Sequence, residues 1–455
     1  MAARRISALD VWMNGLRVGR WERKGHGQDQ LLYSAQWMNA KEGRPLSLSL
    51  PFTQVYGTER VMPLRSEAVS TYFENLIPDN DRILQRLRDR CGARSTAAFD
   101  LLASIGRDCA GAVQLVPAGE TPGDVRRFDF TALDDAGVAR ILRETTSSGI
   151  IGQNDQDAFR ISIAGAQEKT GLLRHEGRWC IPHAATPSTH IFKLPLGVVG
   201  NLRIDMRDSV ENEWLCIRIL REFGLPVANA DIGVFEDQKA LIVERFDRRL
   251  SSDGAWWQRI PQEDFCQAFG LRSSYRYEAD GGPGIARIMD VLQGSERAAH
   301  DRETFFKAQL LFWALAATDG HAKNFSIRLL RGGAYQLAPL YDVLSTYPVQ
   351  GTGAGMLHRR DARLKLAMAV QGKNRHYALH EIHRWHWLAM AVRVGLQGDI
   401  EDWLESLIQE TPGVLERVGA GLPKGFPQPL YDAVAEGLNK AMNQLAHEPD
   451  RRIAE

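Results

Sequence analysis

One short loop, Thr318-Asp319-Gly320-His321-Ala322-Lys323-Asn324, gathers a carboxylate, an imidazole, an ammonium and an amide. It follows a long apolar helical run, Arg302 to Ala317, and precedes a short strand-like segment ending at Tyr341-Asp342. Acid, amide, then a second acid is an order suited to phosphoryl transfer. The first acid accepts the proton of the attacking hydroxyl, and the amide and the second acid hold Mg²⁺ against the phosphates. Asp319, Asn324 and Asp342 fit those roles in that order, and Asp319 and Asn324 meet the D-x-x-x-x-N spacing. The His-Arg pair common before such an acid is replaced by Ala317-Thr318. The same loop also reads as a helix-ending Asp-Gly turn, with Asn324 opening the next strand through side-chain to backbone bonds.

Such groups need elements that position them. The run Thr189 to Pro195 reads as a strand carrying Lys193, whose ammonium can reach phosphate oxygens as a point charge; a strand lysine at a solvated edge is the alternative. Next, Asp208 to Ile217 opens an amphipathic helix that closes at Gly224. Glu213 lies in its first turns as partner for Lys193, while Glu211 is expected to reach back to Asp208 in a capping box. The β-branched stretch Lys239 to Asp247 reads as a buried strand, with Glu244 to Phe246 as a hinge beside an adenine ring.

The segment Ile161 to Thr170 fails the G-x-x-x-x-G-K-[ST] pattern, because Ile163 and Glu168 stand where glycines are needed. Its small turn Ala164-Gly165-Ala166 can still lie over phosphates through backbone N–H groups. An ordinary hairpin turn fits equally well.

At this point the chain resembles a known family. The strings SIAGAQEKT, STHIFKLP, VERFDRR, PQEDFCQAFG, YEADGGPGIARIM, ATDGHAKNFS and LAPLYDVLS, in this order, are similar to the HipA family of bacterial toxin–antitoxin serine/threonine kinases. Phe73 to Asn80 and Asp100 to Leu115 extend the likeness over nearly the whole chain. The resemblance implies Asp319 as catalytic base, with His321 and Lys323 in the same loop, and Asn324 and Asp342 as Mg²⁺ ligands. For ATP it implies Ala164, Gly165, Ala166, Gln167, Glu168, Lys169, Thr170, Lys193, Glu213, Glu244 and Phe246; Tyr341 either packs beside the metal acid or touches the nucleotide. Ser162 is implied as an autophosphorylation site. A phosphate there adds roughly −1.5 to −2 charge beside a loop that covers ATP, favouring ejection of the loop.

The likeness further implies a toxin that phosphorylates an aminoacyl-tRNA synthetase, the glutamate enzyme above all, to arrest growth and promote persistence. It would partner a helix-turn-helix antitoxin of the HipB type, and through it operator DNA. A small-molecule phosphotransferase and a non-catalytic corepressor module are the competing readings. The implied fold is α+β and two-lobed, protein-kinase-like, with a small β-rich N-terminal module and a helical C-lobe.

Length and composition agree. The 455 residues exceed one core and divide as 1–116 (N-terminal module, β-rich then helical), 117–155 (connection), 156–248 (nucleotide-binding β-rich lobe) and 249–455 (helical catalytic lobe). Lys+Arg 56 balance Asp+Glu 56, which argues against nucleic-acid binding over the whole surface. The cysteines, Cys91, Cys109, Cys180, Cys216 and Cys266, are scattered singly, without disulfide or zinc spacing, as in a reducing cytosol. No signal peptide or membrane-spanning run is read, so a cytoplasmic protein is expected. Asn14-Gly15 between two alternating segments signals a hairpin at the start of the N-terminal module.

Overall fold

A computed structural model describes residues 6–23, 29–53, 61–146, 165, 167–358, 361, 363–396 and 400–447. The chain forms two compact units, each assembled from three stretches. The first comprises Met1–Leu194, Gly233–Ser274 and Ser326–Ala338; the second comprises Pro195–Ile232, Tyr275–Phe325 and Pro339–Glu455.

The first unit opens with the expected hairpin. Asn14 (φ 47°) and Gly15 (φ 83°) both take positive φ, the requirement of a turn whose twist matches its strands. The strands Ala8–Met13 and Leu16–Arg23 pair across it within a sheet of order Asp29–Tyr33, Leu16–Arg23, Ala8–Met13, Val113–Pro117. Helices Glu67–Glu74 and Ala98–Ile105 cover this sheet through Trp21, which stacks on Phe73 at 4.1 Å and meets Phe99 edge-on at 4.8 Å.

A second sheet, which lies in this unit apart from residues 230–232 of its first strand, runs Ala230–Phe235, Gln238–Glu244, His190–Lys193, Lys169–His175, Arg178–Pro182, Phe130–Leu133. Helix Asp135–Thr146 buries Val138, Ile141 and Leu142 in one core with Leu172, Phe192 and Ala240. Beside it lies a buried ionic cluster. Asp108 meets Arg248 at 2.8 Å, Arg245 and Arg259 at 3.4 Å each, and Asp247 meets Arg245 at 2.8 Å. Burial by itself would raise both carboxyls, but these guanidiniums outweigh it and hold them below the usual carboxylate range.

The second unit is mainly helical: Ser209–Glu222, Ile285–Leu292, Ala298–Ala314, Arg384–Arg393, Ile400–Ala420 and Gln428–His447, with a hairpin Lys365–Gln371 and Arg375–Ala378. Helix Ala298–Ala314 is apolar on all sides from Leu310 onward, and those residues are buried, as a central core helix requires.

Three local expectations are corrected. The capping box of Glu211 is not formed: Asp208 caps its helix without a side-chain bond, and Glu211 is itself buried. The strand before Tyr341 ends at Leu337, because Pro339 lacks an N–H for a ladder and the following residues turn to another partner. The apolar helix ends at Ala314 rather than Ala317, where Ala316 enters the left-handed region at φ 49°.

Candidate active site

Helix Ala298–Ala314 delivers the catalytic-loop candidate, and Gly320 shows how closely. A Cβ built on Gly320 would lie 2.5 Å from Cδ2 of Phe312, so only glycine lets the loop fold back onto its own helix. With the backbone pressed there, the Asp319 side chain points outward and is 66% exposed, while His321, Ala322, Lys323 and Asn324 are buried. Two donors fix the Asp319 carbonyl: the His321 amide at 2.8 Å and Asn324 Nδ2 at 2.7 Å.

The Asn324 amide is thereby oriented. Its nitrogen is committed to the loop, which leaves Oδ1 as its ligand atom. Magnesium takes hard oxygen donors and is commonly held by one or two protein oxygens together with phosphates and water. Asn324 and Asp342 supply that kind of donor, so the residues fit the ion.

His321 sits with Nε2 4.0 Å from Asp319 Oδ1. Burial lowers its pKa; the Asp319 charge opposes this and Arg276 adds to it, so the imidazole is neutral at neutral pH. It is therefore a dipole in the loop rather than a cationic phosphate clamp. Tyr341 donates its hydroxyl to the Lys323 carbonyl at 3.0 Å, so it braces the loop from behind.

Asp342 stands at φ +62°, a left-handed conformation that few non-glycine residues adopt and that clusters at functional sites. Its flanks are pinned on both sides. Leu340 exchanges backbone bonds with Pro226 and Ala228 at 2.8 Å each. Asn212 grips Ser345 twice, donating from Nδ2 to its carbonyl at 2.8 Å and accepting from its amide at 2.9 Å. Asn212 was missed in the sequence; its signal is an amide in a buried helix turn, between Glu211 and Glu213. Glu213 is 1% exposed in that same turn of the second unit.

In the first unit, Lys193 is buried and stands directly opposite Lys169 in the antiparallel pair, with Leu241 opposite it on the other side. Residues in one such row share a face of the sheet. Gly165, at φ +110°, lies over this row: a Cβ there would meet Lys169 Nζ at 2.6 Å. Gln167 donates to the Leu194 carbonyl at 2.6 Å, and the Glu168 carboxylate pairs with Arg86. These two side chains brace the turn. Thr170 is buried in the strand. Ser162, Ala164 and Ala166 lie outside the described residues.

The hinge candidates alternate across their strand end. Glu244 is exposed; Phe246 is half-buried beneath the Arg328 guanidinium, 5.5 Å from the ring centroid, and its carbonyl accepts from Arg328 at 3.2 Å. Between them Arg245 turns inward to the ionic cluster, a role that sequence reading did not assign.

The fold is α+β, and the exposed acid, the tethered amide and the strained second acid lie on its second unit. The HipA N-terminal domain family matches residues 9–116, and the HipA-like C-terminal domain family matches residues 161–415. The chain belongs to the HipA family. The serine/threonine-protein kinase toxin HipA of Shewanella oneidensis is 30% identical over 325 residues, 69% of each chain. A kinase-named protein of Sinorhizobium fredii, Y4mE, is 31% identical over 419 residues, 91% of this chain and 92% of its own. Among solved structures, HipA from the Shewanella oneidensis complex of HipA, HipB and operator DNA is similar at TM-score 0.75. It is 22% identical, covering 96% of this chain and 97% of that one, a likeness of fold. Among the described residues no helix is long and apolar enough to cross a membrane.

Proposed function

We propose that this chain is a protein serine/threonine kinase of toxin–antitoxin type, moving the γ-phosphoryl group of ATP to a protein hydroxyl. The observation that carries this is the Asp319 carboxylate, held out to solvent on a loop whose backbone is fixed by Asn324 and pressed on Phe312. Asp319 accepts the proton of the attacking hydroxyl, whose oxygen bonds to the γ-phosphorus as the bond to the ADP oxygen breaks. Asn324 and Asp342 hold Mg²⁺, which when bound neutralises charge on the phosphates. Lys193 and Lys169 take phosphate oxygens beneath the Gly165 turn, and Glu244 and Phe246 flank the adenine. As the family resemblance implies, phosphorylation of Ser162, three positions before Gly165 in the sequence, would add negative charge to the segment that leads into this turn and switch the enzyme off.

A relative named as a HipA kinase toxin and a HipA solved with HipB and operator DNA support a toxin role with an antitoxin and operator DNA as partners; the helix-turn-helix form of that antitoxin and an aminoacyl-tRNA synthetase as substrate are what the family resemblance implies. The test is transfer of labelled phosphate from Mg-ATP. Asp319→Asn is expected to remove it by at least 10²-fold, the scale of one positioned proton acceptor, with the unfolding temperature kept. Transfer at the wild-type rate by this variant rejects Asp319 as the base, and label found only on small alcohols rejects the protein-kinase reading.

A further inference from the structure

One motif of the sequence is not used by this mechanism: Tyr275 to Gly284, YRYEADGGPG, in the second unit. Tyr277 donates its hydroxyl to Asp319 Oδ1 at 2.5 Å, and its ring stands edge-on to His321 at 5.0 Å. The placement is built in on both sides of Tyr277. On one side, the Arg276 carbonyl accepts from Ala322 of the catalytic loop at 3.1 Å. On the other, Glu278 accepts from the Ala369 amide at 2.6 Å and faces Arg375 at 3.5 Å.

The glycines make this loop possible. Gly281 takes φ +101°; a Cβ on Gly282 would lie 2.2 Å from the Tyr275 carbonyl oxygen; and one on Gly284 would strike the Glu278 carboxyl at 2.4 Å. The Tyr277 carbonyl accepts from Asp280 at 3.1 Å and from Gly282 at 2.9 Å, closing a turn that aims its side chain at Asp319. Burial raises the phenol above its ordinary value, and the neighbouring Asp319 charge adds to this, so the group remains a protonated donor.

A general base must hold the proton it will take within hydrogen-bond reach. On Asp319 that place is taken by the chain's own phenol. We propose that Tyr277 occupies the acceptor-hydroxyl position on Asp319 Oδ1 and gates it, competing with water for that oxygen until a protein hydroxyl displaces the phenol. This rests on Asp319 being the base. On an acid exposed to solvent, Oδ1 is engaged by one hydroxyl that a docked serine or threonine replaces like for like, which slows transfer of phosphate to water. The protein acceptor thereby becomes part of the switch.

The experiment measures release of inorganic phosphate from Mg-ATP by the full chain with no protein acceptor. Tyr277→Phe removes one oxygen and keeps the ring on His321, so the loop is preserved. Hydrolysis is expected to rise on the order of tenfold, the scale of one hydrogen bond to a charged group, with the KM for ATP unchanged. The double variant Tyr277→Phe with Asp319→Asn is expected to show no rise. Equal or slower hydrolysis by Tyr277→Phe overturns the gate, as does a rise that persists in the double variant. If Asp319→Asn alone keeps transfer, the base assignment fails and the gate with it; if Asp319→Asn is dead and Tyr277→Phe is no faster, only the gate fails.

Discussion

Asp319 and Asn324 were legible as a pair because their chemistry is local: the tether between them closes within one loop. Asn212 and Tyr277 were not, since their partners Ser345 and Asp319 lie 133 and 42 residues away along the chain. Nothing in the residues around them announces what they will meet. Asn212 is the clearer structural case, because it satisfies both backbone groups of a buried residue three positions beyond Asp342. Asn212→Ala leaves a buried N–H and C=O unmet and is expected to cost about 2–4 kcal/mol, read by urea unfolding. Phosphate transfer should fall as well, because the strained Asp342 backbone loses its anchor; unchanged stability and rate would show that the clamp is dispensable.

At the level of elements, the string VERFDRR reads as a strand running into a hinge, and that much is periodicity. What alternation could not reveal is where the inward-facing charges go. Arg245, Asp247 and Arg248 end in a cluster with Asp108, which also accepts from the Ser188 amide at 2.9 Å and its hydroxyl at 2.6 Å. The N-terminal segment around Asp108 is thus bonded to the strand end that carries the hinge candidates. Asp108→Ala leaves Arg245, Arg248 and Arg259 buried with Asp247 as the remaining acid of the cluster. Removing one partner of a buried pair is costly, and about 3–5 kcal/mol of unfolding free energy is expected to be lost; a loss within the range of ordinary surface substitutions would contradict this account. The Lys169 and Lys193 row has the same history. Each lysine was read in its own segment, and only the register of the two strands sets them opposite each other.

For the molecule as a whole, pH offers a probe of packing through Glu263, buried in the first unit, where its Oε1 accepts from the Leu48 amide at 2.9 Å. Burial pushes its carboxyl up to about 8, against an ordinary 4.5. Between those values the folded chain holds a proton that the unfolded chain has released, so its stabilising share is full below the lower value and lost as pH rises through about 8. Glu263→Gln stays neutral, and its unfolding temperature relative to wild type is expected to improve from about pH 6 to about pH 9; a constant difference would place the titration elsewhere. The sequence by itself determined the hairpin at Asn14-Gly15, the buried helix before the loop, the acid–amide–acid order and the family, because each depends on neighbours a few positions apart or on long ordered strings. Only the tertiary structure decided which stretches of the interleaved chain make each unit, that Phe312 requires Gly320, that Asn212 holds Ser345 and that Tyr277 bonds Asp319. Those contacts join residues far apart in the chain, and they exist only once packing has chosen which side chains meet.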